Sequence, residues 1–198
     1  SRGPVIWRDE NGNEKAILKP DVVAPGVSIC AAQYDNWYDS LHCLDEKHIS
    51  ISGTSMATPH VTGAAALLKE KNPDWTPEEI KATLKGTSVD LGLSPIEQGT
   101  GRINVVESVK LNGKMPIAFI YSVNDGSKIN LFGIAKADGF EYYKLYLDEI
   151  EIKSSNFQVD NSFLYDIDTK KMKDGRNTFR LEVKSFDGRI SEDFAILD

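Results

Sequence analysis

Basic charge, histidine, cysteine and long apolar runs are all scarce in this chain of 198 residues. Lys and Arg number 23 against 30 Asp and Glu, giving a net charge of −7. A nucleic-acid partner requires a basic face to neutralise phosphates, so this balance argues against that class. No apolar run approaches the ~20 residues that span a bilayer. No fixed-period repeat or low-complexity tract interrupts the chain. Histidine occurs three times, at positions 42, 48 and 60, so a side chain able to move protons near neutral pH has few candidates. What is present is an ordinary globular mixture, 40% hydrophobic and 27% charged, long enough for one or two domains.

The most specific stretch is Gly53-Thr54-Ser55-Met56-Ala57-Thr58-Pro59-His60, running into the small apolar series Val61 to Leu68. Gly53 permits close backbone approach because it has no Cβ. Pro59 has no N–H and suits the first turn of a helix. The apolar series reads as a buried helix. Ser55 therefore falls at or just before a helix N-terminus, where unpaired N–H groups and the positive dipole end can stabilise an oxyanion. A serine hydroxyl becomes a nucleophile only when a neighbouring base takes its proton. The plainer reading is that Ser55 is a helix cap.

The octet resembles the nucleophile segment of the subtilisin-like serine proteases (peptidase family S8). Further segments resemble the same family in the same order: Ser1-Arg2-Gly3-Pro4, Lys19 to Ile29, Thr76 to Lys81, and the closing turn Gly99-Thr100-Gly101-Arg102-Ile103-Asn104. The resemblance covers residues 1 to 111. It implies an α/β fold over 1–113, the C-terminal part of a subtilisin-like catalytic domain with a parallel sheet and buried helices. It implies a serine endopeptidase in which Ser55 attacks the scissile carbonyl. Ser55 N–H would be one oxyanion donor and Thr54 would help orient that region. Family members place the triad aspartate and histidine upstream of the serine. No segment before Ser55 matches either, nor the oxyanion asparagine. The expectation is that this chain is the C-terminal part of a longer protease and is inactive alone. Its partners would be a polypeptide substrate and the remaining N-terminal part of the protease. Without that part, apolar surface on residues 1–111 should be exposed. The resemblance also implies a secreted or cell-surface location. The alternative is a non-catalytic fragment or pseudoprotease acting as a binding module.

Local substitutes for the absent groups are weak. His60, five positions after Ser55 on one helix, should diverge from it. His42 and His48 lie in the preceding hairpin region, and Asp21 and Asp45 read as turn or surface residues. Cys30 and Cys43 bracket an enlarged tip between strands Val27–Ala32 and Lys47–Ser52. They read as a disulfide staple or as two free thiols, and a metal site built with His42 lacks a recognisable ligand pattern. Thr76-Pro77-Glu78-Glu79 predicts a capped helix ending at Gly86, and Asn104 predicts a cap for a helix over 105–110.

From Ile117 the pattern changes. Strands are predicted over 117–122, 128–137, 142–152, 162–166, 178–185 and 190–197, separated by Asp-Gly and similar turns. This predicts a small all-β Ig-like or fibronectin-like sandwich over residues 114–198. The aromatics Phe140, Tyr142, Tyr143, Tyr146, Phe157, Phe163 and Tyr165 read as core and cross-strand pairs, with a carbohydrate- or protein-binding face as the alternative. No cofactor is required. Asp166-Ile167-Asp168 offers oxygens to a structural calcium, but a lone pair of carboxylates falls short of the six or more ligands that ion takes.

Overall fold

The computed structural model describes residues 2–34 and 42–197. Two strands open the chain, β1 (Val5–Arg8) and β2 (Glu14–Ile17), paired antiparallel. Asn11-Gly12 closes their hairpin with Gly12 at φ 81°, a conformation glycine adopts without steric cost. Next come β3 (Ile29–Ala32) and β4 (His48–Ile51), a two-stranded antiparallel hairpin. Four helices follow: α1 (Thr54–Lys71), α2 (Pro77–Gly86), the single turn α3 (Pro95–Gln98) and α4 (Val105–Lys110).

The helix starts follow local chemistry. Thr76 Oγ1 accepts from Glu79 N and Glu79 Oε2 accepts from Thr76 N, the predicted capping box. Asn104 Oδ1 accepts from Glu107 N to open α4. The small helical core holds Ala64 and Leu68 of α1, Trp75, Leu84 of α2 and Ile103, with Val22, Ala24 and Val61 against it.

The remaining strands are β5 (Ile117–Asn124), β6 (Lys128–Lys136), β7 (Phe140–Leu147), β8 (Ile150–Ser155), β9 (Val159–Asp168), β10 (Asn177–Ser185) and β11 (Ile190–Leu197). They form two antiparallel sheets, β1-β2-β5-β6-β9 and β11-β10-β7-β8. Ile120, Leu131 and Leu164 of one sheet and Leu145, Phe179, Leu181 and Val183 of the other share one apolar core. Alternation along β10 places every second residue in that core and directs Arg180 and Glu182 outward.

Three expectations change. The predicted parallel sheet is not formed among the described residues. The only parallel pairing there is one bridge, Val23 to Arg102, because parallel strands require neighbours brought alongside by crossovers and no described segment supplies them. Helix α1 is not buried. Ala64 and Leu68 are its buried residues, and Leu67 is half exposed. The predicted strand over 142–152 is two strands, β7 and β8, joined at Asp148 and Glu149, both at positive φ (46° and 70°). That pair is a tight hairpin turn without glycine or asparagine, so its composition did not announce it. In addition, β2 pairs with β5 and Ala16 enters the two-sheet core, joining a segment of the subtilisin-like part to the β-rich part.

Candidate active site

Residues 19–29 form a spine that gathers the family-like segments. The carbonyl of Ile96 accepts from Gly3 N at 3.0 Å, and a Cβ on Gly3 would stand 1.9 Å from Lys19 O. Asp21 O accepts from Thr100 N at 3.0 Å. Val23 donates to Gly101 O and accepts from Ile103 N, each at 2.9 Å. The glycines of the closing turn are required by this packing. A Cβ on Gly99 (φ 63°) would lie 2.2 Å from Asp21 O, and one on Gly101 would lie 2.3 Å from Val89 O.

The spine ends at the nucleophile candidate. Gly53 N donates to Gly26 O at 2.7 Å, and Ser28 N donates to Ser52 Oγ at 2.8 Å. A Cβ on Gly26 would meet Gly53 O at 2.8 Å, so only glycine allows the two loops this close. Gly53 is the N-cap of α1, with no side chain to cap it. Thr54 and Ser55 are the first two helical residues, both exposed. The plainer reading of Ser55 as a cap is therefore not what the structure shows: Ser55 lies inside the first turn. Its N–H is among the four that an α-helix leaves without an internal acceptor. Pro59 stands in the second turn, one turn later than predicted. Having no N–H, it leaves the Ser55 carbonyl without its usual i+4 donor. Thr58 Oγ1 donates to Thr54 O at 3.0 Å, which helps hold this turn.

An open groove of about 590 Å³ flanks the turn, lined by Val22, Ala24, Val27, Gly53, Thr54 and Ala57 among others. A second, of about 690 Å³, continues along α1 past Val61, Ala65 and Ala66 to Trp75 and α2. The apolar side of α1 is thus open along both grooves.

The candidate bases lie elsewhere. His60 Nδ1 sits 2.9 Å from Met56 O, tying the exposed ring to its own helix. His48 Nδ1 is 2.7 Å from Asp45 Oδ1, and that hydrogen bond, with one from Lys47 N, holds the Asp45 carboxyl below its ordinary range. This pair has the composition of a triad's base and orienter. It nonetheless lies at the far end of β4 from Ser55, and the ring hydrogen bond of His48 is to Asp45. His42 bridges Ile49 through its backbone. Among the described residues no histidine hydrogen-bonds to Ser55. Asp21 is a structural ion-pair residue. Burial raises its pKa, but Lys81 at 2.7 Å and the adjacent Lys19 more than offset this, and the net shift is downward.

Cys30 and Cys43 form a disulfide, resolving the two alternatives left by spacing. Ser1 and residues 35–41 of the tip lie outside the described residues. Asp166 pairs with Lys128 at 2.6 Å and Asp168 accepts from Lys170 N at 2.9 Å. Among the described residues no cluster of three or more His, Cys, Asp or Glu is placed to hold a metal. The aromatics divide: Tyr143 is core, Phe140 and Tyr165 pack against it, and Phe157 is exposed. Arg180 lies over the Tyr146 ring at 3.9 Å.

Residues 1–107, just over half of the chain, match the model of the Subtilase family (Peptidase_S8).

The chain belongs to the subtilase family.

It is 46% identical over 88 residues to the subtilisin-like protease SBT2.5 of Arabidopsis thaliana, covering 44% of this chain and 11% of that protein. It is 40% identical over 114 residues to the serine protease AprX of Bacillus subtilis (strain 168), covering 55% and 24%. A CO(2)-response secreted protease of Arabidopsis thaliana is 38% identical over 127 residues, covering 56% and 16%. This subtilase chain thus spans only about a tenth to a quarter of the length of the relatives it matches. The crystal structure of fervidolysin from Fervidobacterium pennivorans, a keratinolytic enzyme related to subtilisin, aligns with 90% of this chain and 44% of its own. The TM-score is 0.43 and the identity 14%, too remote to bear on the fold.

Proposed function

We propose that this chain carries the nucleophile segment of a secreted or cell-surface subtilisin-like serine endopeptidase. Ser55 Oγ attacks the peptide carbonyl, and Ser55 N–H donates to the oxyanion that forms. Thr54 orients this turn. The histidine that takes the Ser55 proton, and the aspartate that orients it, come from polypeptide outside these 198 residues. That polypeptide also covers the apolar side of α1. The supporting observation is Ser55 itself: an exposed serine in the first turn of an 18-residue helix, not used as a cap, next to Thr54, which lines an open groove. The exposed disulfide suits an oxidising compartment. The β-rich part, residues 114–198, is an Ig-like or fibronectin-like sandwich appended to the catalytic part. No cofactor enters the chemistry.

A fluorophosphonate probe tests this reading. The 198-residue chain alone should label at Ser55 slowly, since loss of the base removes on the order of 10⁶ in rate in the subtilisin case. Joined to upstream segments carrying an aspartate and a histidine, it should label rapidly, and Ser55→Ala should abolish the signal. Rapid labelling of the 198 residues alone would show a base within them. No Ser55 labelling in the longer protein would favour the non-catalytic alternative.

A further inference from the structure

The disulfide sits on the element that delivers the nucleophile. Strand β4 runs from His48 to Ile51 and passes through Ser52 and Gly53 directly into Ser55. On one side β4 pairs with β3 in the register Ile29–Ile51, Cys30–Ser50, Ala31–Ile49 and Ala32–His48. On the other, Cys43 N donates to His48 O at 3.3 Å and His42 bridges Ile49. Both segments that grip β4 therefore carry a cysteine, and Cys30–Cys43 locks them to each other with Cα atoms 6.0 Å apart. The base of the same hairpin carries the two bonds that seat the nucleophile turn, Gly53 N to Gly26 O and Ser28 N to Ser52 Oγ. The β3–β4 ladder is extended by Gln33, whose N donates to Lys47 O and whose Nε2 donates to Glu46 O, each at 2.8 Å. Among the described residues burial adds little: apart from Ile49 the strand residues are exposed or half-buried, so the covalent link supplements hydrogen bonds that water can reach. Both cysteines are exposed and open to a thiolate.

We propose that Cys30 and Cys43 are positioning residues for Ser55, and that small thiols lower the enzyme's reactivity by opening their disulfide. The inference rests on Ser55 being the nucleophile. In the first step a thiolate attacks one sulfur, forming a mixed disulfide and expelling the other cysteine as a thiolate. A second thiolate then attacks the reductant's sulfur in that mixed disulfide and expels the remaining cysteine as a thiolate. Two cysteine thiols and one oxidised reductant result, with two electrons passed to the protein. With the link open, the grip on β4 loosens and the hydrogen bonds at Gly26–Gly53 and Ser28–Ser52 open more often. The Ser55 N–H then loses its fixed aim.

Amide hydrogen exchange on the 198-residue chain, oxidised and after reduction by a dithiol, reads this without any catalytic step. Reduction, confirmed by a gain of two hydrogens in mass, should speed exchange at Gly53 and Ser28 by about tenfold or more. Val23 and Ile103, bonded outside the hairpin, should not change, and reoxidation should restore the slow rates. In the longer protein, Ser55 labelling and Gly53 exchange should share one midpoint in a thiol–disulfide titration. Equal exchange at Gly53 and Ser28 in both redox states overturns the proposal. So does acceleration that extends equally to Val23 and Ile103, which marks a merely global staple. The variant C30S/C43S should behave as the reduced protein, and if it does not fold, reversible reduction of the parent decides the matter. Absence of labelling in the oxidised longer protein counts against the nucleophile reading alone, because exchange still reports on positioning.

Discussion

Ser55 and Asp21 show how neighbours decide the role of a side chain. The octet around Ser55 was readable as a nucleophile segment, yet the same letters permit a capping serine. The helix begins at Thr54, one residue before Ser55, with Gly53 as its cap, which sets the capping reading aside. Asp21 read as a turn or surface carboxylate. In the fold it joins Lys81 of α2 to the spine, an ion pair between residues 60 apart in sequence that no local pattern announces. Its folded pKa lies below the ordinary 3.8, so the folded state favours the ionised form. Its contribution is complete above that ordinary value and is lost as pH falls through the folded one. Urea denaturation below about pH 4 should therefore show a steep loss of stability in the parent and a shallower one in Asp21→Asn. Equal slopes would mean the pair contributes nothing.

Helix α2 is the element that joins the two parts of the chain. It follows its predicted bounds, with its box at Thr76 and its end at Gly86. What local pattern did not reveal is its outer partner. Lys85 Nζ lies 2.5 Å from Asp193 Oδ1 on β11, both side chains about 90% buried, and Asp193 Oδ2 accepts from Ile120 N at 2.9 Å. Glu79 reaches Lys114 at 2.6 Å. A Cβ on Gly86 would press within 2.4 Å of the Met115 methyl, so the helix end is shaped to the strand entrance. Asp193→Ala strands a buried ammonium and an amide together, and should cost about 3–5 kcal/mol. Glu107→Ala, at an exposed pair with Lys110, should cost less than about 1 kcal/mol. Denaturant midpoints of the two variants would separate these, and similar values would show that α2 is not anchored through Asp193. The β1–β2 hairpin was legible and missed: Asn11-Gly12 between two short β-prone runs is a strong hairpin signal. Its pairing with β5, a hundred residues on, was not.

At the scale of the assembled chain, the two sheets differ in finish from the helical part. The outer face of the four-stranded sheet is a lattice of ion pairs, with Arg180 between Glu149, Glu182 and Glu192, and Lys184 on Glu141. Such a face suits water. The α1 side of the subtilase part is apolar, open and continuous over two grooves. Surface of this kind drives association. Sedimentation velocity of the 198-residue chain should show mass rising with concentration, and Ala66→Glu, an exposed substitution on that side, should reduce it several-fold at little cost in folding stability. A strictly monomeric parent would show that the face needs no cover.

Local chemistry in the sequence was sufficient for the helix caps, most strand positions and the family-like octet, because capping, alternation and turn composition act over a few neighbouring residues. It could not settle whether the cysteines bond, where Lys85 finds its counter-charge, or whether α1 is covered. Those outcomes depend on segments tens to a hundred residues apart meeting in space, and on which surfaces remain after they have met. The missing parallel sheet has the same cause: Val23 makes only an isolated parallel bridge to Arg102, and a sheet forms only where further strands are brought alongside.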